Sequence, residues 1–443
     1  MDRVLKLSSA HHIRILYYIT RLKRNQWLKE EELMNIQEKR LRMIINHAYH
    51  NVSYYHDMFD SHGIKPEDIR SAEDLQKIPI TTKKEIQRNY PYKIIAKGTD
   101  LNQCRIKSTT GSTGRSLKMC YGRKSMAYNA ALQYYVFFEC GLRFTDKMVN
   151  LLVPDYPVQK TWFRRLGIMR EELVSVQQPV GAIIEALRGI KPDVISGFPS
   201  VLSLLAREIK AKNNAEISPR AVITHAETLT DHSRKEIGDA FNAEVYDIYG
   251  SVETSWLAFE CKEHLGYHMI NDSAIIEFIK GGKNIYGHEP GEIVVTGLYN
   301  YEMPLIRYKL GDVGIPSNKK CNCGRGFPLM SSIEGRADDF LILPSGRIIS
   351  PRGFKYYVPG IAEYRMIQAE KDRFVMQVVK GKGFSKETIS QIERQIKAGC
   401  LGENVRCEVE LVKELPRERT GKLRTIISKV WSQHESNNTG IGA

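Results

Sequence analysis

The sequence predicts an α/β protein, with a large N-terminal domain of mostly parallel sheets flanked by helices and a small α+β C-terminal domain. Between residues 148 and 249, short apolar runs alternate with helical patterns, which is typical of parallel strands joined by helical crossovers. From Asp339 onward the pattern changes to short strands around one helix that Ser385 begins. The predicted domains are 1–337, 338–432 and a polar, disordered tail at 433–443.

The predicted elements follow in chain order from local patterns. Residues 28–50 have helical apolar spacing, and the hydroxyl side chains before Glu85 predict a second, capped helix. The strands are predicted at Met148–Val153, Asp193–Phe198, Ala221–His225 and Glu244–Tyr249. Pro199 begins the helix after the second of these strands, since proline fits a first helical turn. Ligands on such sheets bind beyond the carboxyl ends of the strands, which makes residues 226–227 and 249–253 candidate site residues.

Composition excludes several classes of protein. Of the 443 residues, 42% are hydrophobic and 26% are charged, as in ordinary globular chains. Lys and Arg number 65 against 51 Asp and Glu, which gives a moderate net charge of +14 that is spread along the sequence. No basic run with interleaved aromatics indicates nucleic acid, and no apolar run of ~18 residues indicates a membrane span. Eight cysteines in this length do not indicate a disulfide scaffold.

The first 28 residues are basic but lack the apolar core and cleavage site of a secretory signal, so cytoplasm is the expected compartment. A basic amphipathic start can make peripheral contact with an anionic membrane. A helix that packs on the protein is the alternative interpretation. The oligomeric state, monomer or homodimer, stays open.

A Gly- and hydroxyl-rich segment is the strongest candidate for binding phosphate. Glycines let the backbone approach an anion closely, successive N–H groups form an anion-binding concavity, and hydroxyls add donors. No Lys follows the second glycine, so this is not the GxxxxGK[ST] loop. The alternative is a flexible polar turn. The segment consists of Ser108, Thr109, Thr110, Gly111, Ser112, Thr113 and Gly114.

Cysteine and histidine residues predict a structural zinc site. Cys261 precedes His264 and His268, and Cys321 and Cys323 follow about 50 residues later. Three thiols and one imidazole suit tetrahedral Zn²⁺ in a closed, non-catalytic site. The spacing is not that of a standard finger, so reduced, unpaired cysteines are the alternative.

Further motifs follow the phosphate loop in a fixed order. They are Ala226-Glu227, Tyr249-Gly-Ser-Val-Glu253, Arg307-Tyr-Lys-Leu-Gly-Asp312, Gly335-Arg-Ala-Asp-Asp339 and Pro416-Arg-Glu-Arg-Thr-Gly-Lys422. Together with the N-terminal pattern, this series resembles the adenylate-forming superfamily of AMP-dependent synthetases and ligases, in its phenylacetate-CoA ligase and CapK-like branch. Some relatives in that branch carry a similar Cys, Gly-x-His and Cys-x-Cys set, which selects His268 over His264.

The resemblance implies roles for residues that would each otherwise suit a structural turn or ion pair. Nucleotide binding falls to the phosphate loop, Ala226, Glu227, Tyr249, Gly250, Ser251 and Asp312, the last on the ribose. Glu253 would hold Mg²⁺ on the ATP phosphates, a role that suits a carboxylate. Arg336 would lie near the ribose and phosphates, Asp338 would be the hinge of a mobile C-terminal domain, and Lys422 would bridge the carboxylate and the α-phosphate.

The acid substrate is expected near Phe198, His225 and Trp256, although a core or surface position is the alternative for His225. Val252 departs from the family pattern, in which a threonine hydroxyl meets the α-phosphate. Ser251 or Thr254 could replace that hydrogen bond.

The resemblance implies activation of an aryl or other small carboxylic acid with ATP and Mg²⁺, release of pyrophosphate, and transfer of the acyl group to CoA. An amine, sugar or carrier protein is the alternative acceptor, in a capsule, polysaccharide or natural-product pathway. Transfer of AMP to a small-molecule hydroxyl and a non-catalytic nucleotide-binding scaffold also stay open.

Overall fold

The structure, a computed structural model, describes residues 9–108, 116–153, 167–211, 217–350, 358–418 and 421–430. For Ser9, Ala10 and Asp338 it describes the backbone alone. The predicted phosphate-loop residues Thr109–Gly114 and the predicted tail 433–443 lie outside the described residues.

Helices and strands alternate along this part of the chain. The described helices are α1 (Ser9–Asn25), α2 (Glu30–Asn51), α3 (Ser53–Ser61), α4 (Lys83–Asn89), α5 (Arg123–Glu139), α6 (Val180–Ile190), α7 (Pro199–Ala211), α8 (Asp231–Phe241) and α9 (Lys386–Gly399). The described strands are β1 (Arg105–Ser108), β2 (Lys118–Tyr121), β3 (Lys147–Leu152), β4 (Arg170–Ser175), β5 (Val194–Gly197), β6 (Ala221–His225), β7 (Glu244–Ser251), β8 (Ser255–Glu260), β9 (Tyr267–Met269), β10 (Ala274–Lys280), β11 (Lys283–Asn284), β12 (Gly291–Gly297), β13 (Tyr308–Ser317), β14 (Leu329–Arg336), β15 (Leu341–Ile342), β16 (Ile348–Ile349), β17 (Ile361–Glu370), β18 (Arg373–Lys380), β19 (Arg406–Val412) and β20 (Ile426–Ser428). None of the helices described is long and apolar enough to cross a bilayer.

The chain divides into two compact units. Unit 1 combines Met1–Leu142 with Tyr246–Ser332, and unit 2 combines Arg143–Val245 with Ile333–Ala443. In unit 1, the strands follow the order β7, β8, β9, β14, β13, β12, β10, β11, and the pairs β7/β8, β8/β9, β9/β14, β12/β13, β10/β12 and β10/β11 are antiparallel. Antiparallel neighbours need only short connections, and residues 252–254 are enough to join β7 to β8.

The helices of unit 1 bury one face each. In α2 the buried apolar side chains recur at helical spacing and pack with α3 and β2 in one core; they are Leu41, Ile44, Ile45 and Ala48. At α4, the Thr82 hydroxyl accepts the Glu85 N–H at 3.4 Å and the Glu85 carboxylate accepts the Thr82 N–H at 2.7 Å. This reciprocal cap satisfies two N–H groups that the helix start leaves unpaired, and it confirms the capped helix predicted there.

Unit 2 contains the parallel sheet that the alternating pattern predicted. Its strands follow the order β6, β5, β3, β4, and each neighbouring pair is parallel. Every residue of β5 and β6 is buried, and apolar side chains of α6, α7 and α8 share their core. The predicted α/β class is thus confirmed. The parallel pairing is found in this unit, whereas the sheet of unit 1 is antiparallel, because its strands follow one another without helical crossovers.

The C-terminal part of unit 2 is the predicted α+β module. Strands β19, β18, β17 and β20 form one mixed sheet, in which β17/β18 is antiparallel and β17/β20 and β18/β19 are parallel. Helix α9 begins after Ser385, as predicted, and buries Ile392 and Ile396 against this sheet. A 3₁₀ turn, Ala337–Asp339, follows β14. A domain boundary between 337 and 338 stays a prediction.

One buried ion pair joins three parts of unit 1. Arg307 is 5% exposed and Glu277 is 6% exposed. The Arg307 guanidinium donates to both Glu277 carboxylate oxygens, at 3.1 and 3.0 Å, and to the carbonyl oxygen of Ile78 at 2.6 Å. Bidentate geometry of this kind offsets the cost of removing both charges from water.

We expect Arg307→Leu to lower the free energy of unfolding by about 3–5 kcal/mol, because it leaves a buried carboxylate unpaired. Lys309→Ala is the matched control, since Lys309 pairs with Glu292 at 2.7 Å with both side chains about a third exposed. Loss of this control pair should cost less than about 1 kcal/mol. Urea unfolding of both variants measures the difference, and equal losses would contradict the structural role of Arg307.

Candidate functional site

In unit 1, the carboxyl end of β7 brings together two of the residues predicted to bind the nucleoside. Tyr249 is 8% exposed, and its hydroxyl donates to the Asp312 carboxylate on β13 at 2.8 Å. Arg307, from the same motif as Asp312, pairs with Glu277. The alternative of an Arg–Asp pair within the motif is therefore not what the structure contains.

Gly250 is required by close packing at the same strand end. A Cβ atom at this position would lie 2.3 Å from the carbonyl oxygen of Ser255 and 2.8 Å from the Cα atom of Trp256. The register between β7 and β8 shifts between Tyr249 and Gly250. A bulge of this kind re-aims the residues that follow it.

The turn after β7 is held by its own hydroxyls and by Tyr121. The Ser251 hydroxyl oxygen accepts the N–H groups of Glu253 and Thr254, both at 3.2 Å, and lies 3.0 Å from the Thr254 hydroxyl. The Tyr121 hydroxyl lies 2.8 and 2.9 Å from the carbonyl oxygens of Val252 and Glu253, and its one proton is shared between them. Sequence analysis did not identify Tyr121, since the partners lie more than 130 residues apart.

These contacts decide what the turn can offer a ligand. The Ser251 hydroxyl oxygen accepts two N–H groups of the turn and keeps its own proton, so replacement of the missing threonine hydroxyl by Ser251 or Thr254 stays a prediction. The half-buried Glu253 carboxylate has no hydrogen-bond partner among the described residues, and an unpaired carboxylate oxygen is the ligand type that Mg²⁺ takes from proteins.

In unit 2, the half-buried Glu227 carboxylate holds the C-terminal motif against the parallel sheet. It accepts the Ser200 N–H at 3.0 Å, the Ser200 hydroxyl at 3.1 Å and the Leu423 N–H at 2.8 Å. Burial raises the pKa of Glu227, and these donors oppose that shift. Glu227 follows Ala226, whose φ of +68° is unusual for a residue with a side chain. Glu227, which was predicted to bind the nucleotide, therefore holds two segments of unit 2 together through these hydrogen bonds.

Arg417 adds to the same network. Its guanidinium contacts the Glu363 carboxylate and donates to the Ser200 hydroxyl at 3.4 Å. Sequence analysis missed both Ser200 and Arg417. Both could have been proposed as site residues from their positions. Ser200 lies in the first turn of a helix that follows a strand, and Arg417 lies inside the C-terminal motif.

Lys422 lies in a turn that packs on the end of β5. Phe198 and His225 make a T-shaped ring contact, with centroids 5.5 Å apart. A Cβ atom at Gly421 would come within 2.8 Å of a Val176 methyl group. Burial, and then the charge of Lys422, lower the pKa of His225 to about 3. His225 is therefore a neutral, buried imidazole near the Lys422 ammonium.

The remaining residues predicted for the site are Arg336, Asp338 and Trp256. Arg336 is an exposed residue at the end of β14, and the side chain of Asp338 lies outside the described atoms. The neighbouring Asp339 accepts a hydrogen bond from Arg424 Nε at 2.8 Å. Trp256 belongs to unit 1, where its ring centroid lies 6.3 Å from that of Phe137.

The Cys and His side chains predicted to bind zinc lie together in unit 1. The Cys261 and Cys321 sulfurs are 3.6 Å apart, and His268 Nε2 lies 3.4 Å from the sulfurs of both Cys261 and Cys323. All of their candidate ligand atoms lie within 4.8 Å of one another. His264 instead faces the Glu260 carboxylate at 3.5 Å.

This cluster fits a tetrahedral metal. Zinc bonds of about 2.3 Å to sulfur and 2.0–2.1 Å to nitrogen place neighbouring ligand atoms at about the separations seen here. Burial, and then the charge of Arg325, lower the pKa of His268 to about 4, so the imidazole is neutral as a ligand must be. Burial alone would raise the pKa of the Cys323 thiol, but hydrogen bonds and charge from Arg325 lower it overall.

Comparison with known proteins finds relatives over most of the chain. A family model described as the CapK C-terminal domain matches residues 341–429. A phenylacetate-coenzyme A ligase from Thermus thermophilus is 28% identical over 330 residues, which are 71% of this chain and 73% of that protein. Protein CapK from Staphylococcus aureus is 27% identical over 432 residues, which are 94% of this chain and 93% of that protein.

Several solved structures are similar over nearly the full length. One of them is a 2-hydroxyisobutyryl-CoA ligase in the postadenylation state, in complex with R3-HIB-AMP, with a TM-score of 0.76, 18% identity and 94% of each chain covered. This likeness agrees with the α/β fold described above.

The buried His225 predicts a pH dependence of stability. Its pKa in the folded chain, about 3, is below the ordinary value of 6.5, so its neutral form contributes stability above pH 6.5 that is lost as the pH falls toward 3. The loss should approach about 1.4 kcal/mol per pH unit in that window. We expect the free energy of unfolding of His225→Gln to fall less steeply than that of the parent between pH 6.5 and about 4.

Urea unfolding at several pH values measures this difference. His288→Gln, at an exposed histidine, is the control and should retain the parent slope. A His225→Gln slope equal to that of the parent would contradict a buried, neutral imidazole.

Proposed function

We propose that this chain, a member of the adenylate-forming superfamily in its phenylacetate-CoA ligase and CapK-like branch, is an AMP-forming acid ligase. A carboxylate oxygen of the acid attacks the α-phosphorus of ATP, and the bond to pyrophosphate breaks. The product is an acyl-adenylate, from which CoA takes the acyl group and releases AMP. The observation that carries the proposal is the Lys422 turn, which Glu227 fixes against the strand end that bears His225.

Each motif residue has a role in this reaction. Lys422 bridges the acid carboxylate and the α-phosphate, where a fixed ammonium stabilises the charge that develops in the transition state. Glu253 would hold Mg²⁺, which would supply charge neutralisation at the ATP phosphates, and its carboxylate without a described partner supports this role. Asp312 accepts the ribose hydroxyls beside Tyr249. Arg336 binds near the ribose and phosphates, and Asp338 is the hinge of the C-terminal domain.

The remaining nucleotide contacts come from backbone and small side chains. The phosphate loop, from Ser108 to Gly114, cradles the ATP phosphates. Ala226 and Glu227 line the adenine pocket. Gly250 and Ser251 shape the turn that presents Glu253.

The acid is proposed to be an aryl or other small carboxylic acid. Phe198 and His225 offer a T-shaped pair of rings, and the neutral state of His225 adds no charge to that wall. Trp256 is proposed to contribute a further aromatic contact. Such a lining favours an apolar acid over a strongly polar one.

The proposal extends to the molecule that accepts the acyl group and to the pathway. CoA is the first choice. An amine, a sugar or a carrier protein is the second, in capsule, polysaccharide or natural-product synthesis. The match to Protein CapK spans 94% of the chain, compared with 71% for the phenylacetate-coenzyme A ligase, so the likeness to relatives does not single out CoA as the acceptor.

Pyrophosphate release with a panel of aryl, fatty and amino acids tests the reaction. We expect acid-dependent release from MgATP, reduced roughly 10²–10³-fold in Lys422→Ala, because one preorganised donor to the developing charge is lost. Lys413→Ala, at an exposed lysine of the same module, should retain the parent rate.

The fate of AMP separates the alternatives. Free AMP together with consumption of CoA identifies a CoA ligase, and AMP attached to a hydroxyl identifies an adenylyltransferase. ATP binding without pyrophosphate release from any acid would favour a scaffold and contradict the ligase.

We also propose that Cys261, His268, Cys321 and Cys323 hold a structural Zn²⁺. The donor set, its burial and its separations support a closed site without an open position for substrate. The ion would join the β8–β9 region to the loop before β14. Such a site contributes to folding and takes no part in acid activation.

Metal analysis tests the zinc site. The purified chain should contain about one zinc ion, and Co²⁺ in its place should give the charge-transfer absorption of bound thiolates. Cys261→Ser should lose the metal and unfold at a lower temperature. Cys407→Ser, at a partly buried cysteine outside the cluster, should retain it. Equal metal content in both variants would sink the proposal.

A further inference from the structure

A groove of about 740 Å³ lies in unit 1, away from the adenylate motifs. It is lined by α1, α2, the start of α5 and the segment 298–301. Its basic lining residues are Arg21, Arg24, Lys39, Arg40 and Lys124, and none of the described lining residues is acidic. Tyr17, Tyr18, Tyr299 and Tyr301 supply most of the aromatic wall. The groove therefore has the charge of a site for an anion and the aromatic lining of a site for an amphipathic one.

Arg40 gives the groove a buried donor without a partner. It is 6% exposed, and its guanidinium carbon lies 4.8 Å from the centroid of the Tyr299 ring. One side of the guanidinium pairs with the Asp272 carboxylate at 3.3 Å. The Nη2 atom has no hydrogen-bond partner among the described residues. A buried N–H group without a partner costs free energy, so this guanidinium keeps an unused donor beside the groove.

The exposed cations of the groove are also available. No described carboxylate lies within ion-pair distance of Arg24, Lys39 or Lys124. Elsewhere on this surface basic side chains do find partners, as Lys93 does with Asp57 at 3.0 Å. Arg24, Lys39 and Lys124 thus lie together in one groove, where no described carboxylate neutralises them.

One face of α1 continues from the groove to an exposed apolar surface. Residues 13, 16, 17, 20, 21 and 24 follow the i, i+3, i+4, i+7, i+8, i+11 spacing of a single helical stripe. Its second half lines the groove, and its first half presents Ile13, Leu16 and Tyr17, which are 66%, 59% and 59% exposed. Met43, another lining residue, is 53% exposed. A soluble phosphate would not use this apolar extension, whereas a lipid would.

We propose that the groove and the first half of α1 form a docking surface for an anionic phospholipid bilayer. A lipid phosphate occupies the groove, beside Arg40 and the exposed cations, and Ile13, Leu16 and Tyr17 enter the boundary between headgroups and acyl chains. A basic amphipathic helix that lies in the membrane interface works by this combination of charge and apolar burial. The surface brings the ligase to the membrane without a spanning helix.

Vesicle sedimentation with the full chain tests the proposal. We expect the chain to sediment with vesicles that contain phosphatidylglycerol and to stay in solution with vesicles of phosphatidylcholine alone. Each basic side chain near an anionic surface contributes on the order of 1 kcal/mol, so Arg24→Ala/Lys39→Ala/Lys124→Ala should weaken binding at least about tenfold. Ile13→Ser/Leu16→Ser should weaken it without changing the charge.

A matched control separates this surface from the general positive charge of the chain. Lys65→Ala/Lys262→Ala/Lys283→Ala removes the same charge from exposed lysines of unit 1 that do not line the groove, and it should bind as the parent does. Equal weakening in both triple variants would overturn the proposal. Failure of the parent chain to sediment with phosphatidylglycerol vesicles would also overturn it. If glycerol 1-phosphate then raised the melting temperature of the chain, the groove would be a site for a soluble phosphate instead.

Discussion

The half-buried carboxylate of Glu227 is the constraint on which the arrangement of unit 2 depends. A carboxylate removed from water costs several kcal/mol unless hydrogen bonds replace its hydration. Here the donors come from two distant segments, Ser200 at the start of α7 and Leu423 after the C-terminal motif. Movement of either segment would leave the charge under-solvated. The side chain therefore links the position of the C-terminal turn to the end of the parallel sheet.

This link has a consequence for the charges nearby. Lys422 directly precedes Leu423, so the contact that fixes Leu423 also fixes where the Lys422 ammonium starts. The neighbouring imidazole of His225 stays neutral because it is buried and because the lysine charge disfavours a second cation. The described residues offer the Lys422 ammonium no hydrogen-bond partner, so its charge remains available to an anionic ligand.

The sequence predicted what local chemistry determines. The α/β class, the cap at Thr82 and Glu85 and the helix that Ser385 begins all follow from patterns a few residues long. Contacts between distant residues were not predictable in this way. The Glu227–Leu423 hydrogen bond spans 196 residues, and the Arg307–Glu277 pair joins the residue before β13 to β10, two strands away in a sheet order that no local pattern indicates.

The cysteine cluster lies between these two cases. Its residue types indicated a metal, but its spacing matched no standard finger. Its geometry depends on a backbone contact, because Gly266 has a φ of +135° and a Cβ atom there would lie 2.6 Å from the Met330 carbonyl oxygen. That close approach lets β9 pair with β14, where His268 is opposite Leu329. The choice between His264 and His268 therefore depends on tertiary packing.

The basic residues behind the net charge of +14 fall into two groups, those that have an ion-pair partner and those that have none among the described residues. Buried Arg307 pairs with a carboxylate, since the fold must neutralise a charge that it removes from water. Arg24, Lys39, Lys124 and Lys422 have no such described partner, although any of them could have been neutralised by one acidic substitution nearby. They lie in the groove of unit 1 or on the turn of the acid-ligase motif, which are the places where an anion is the proposed ligand.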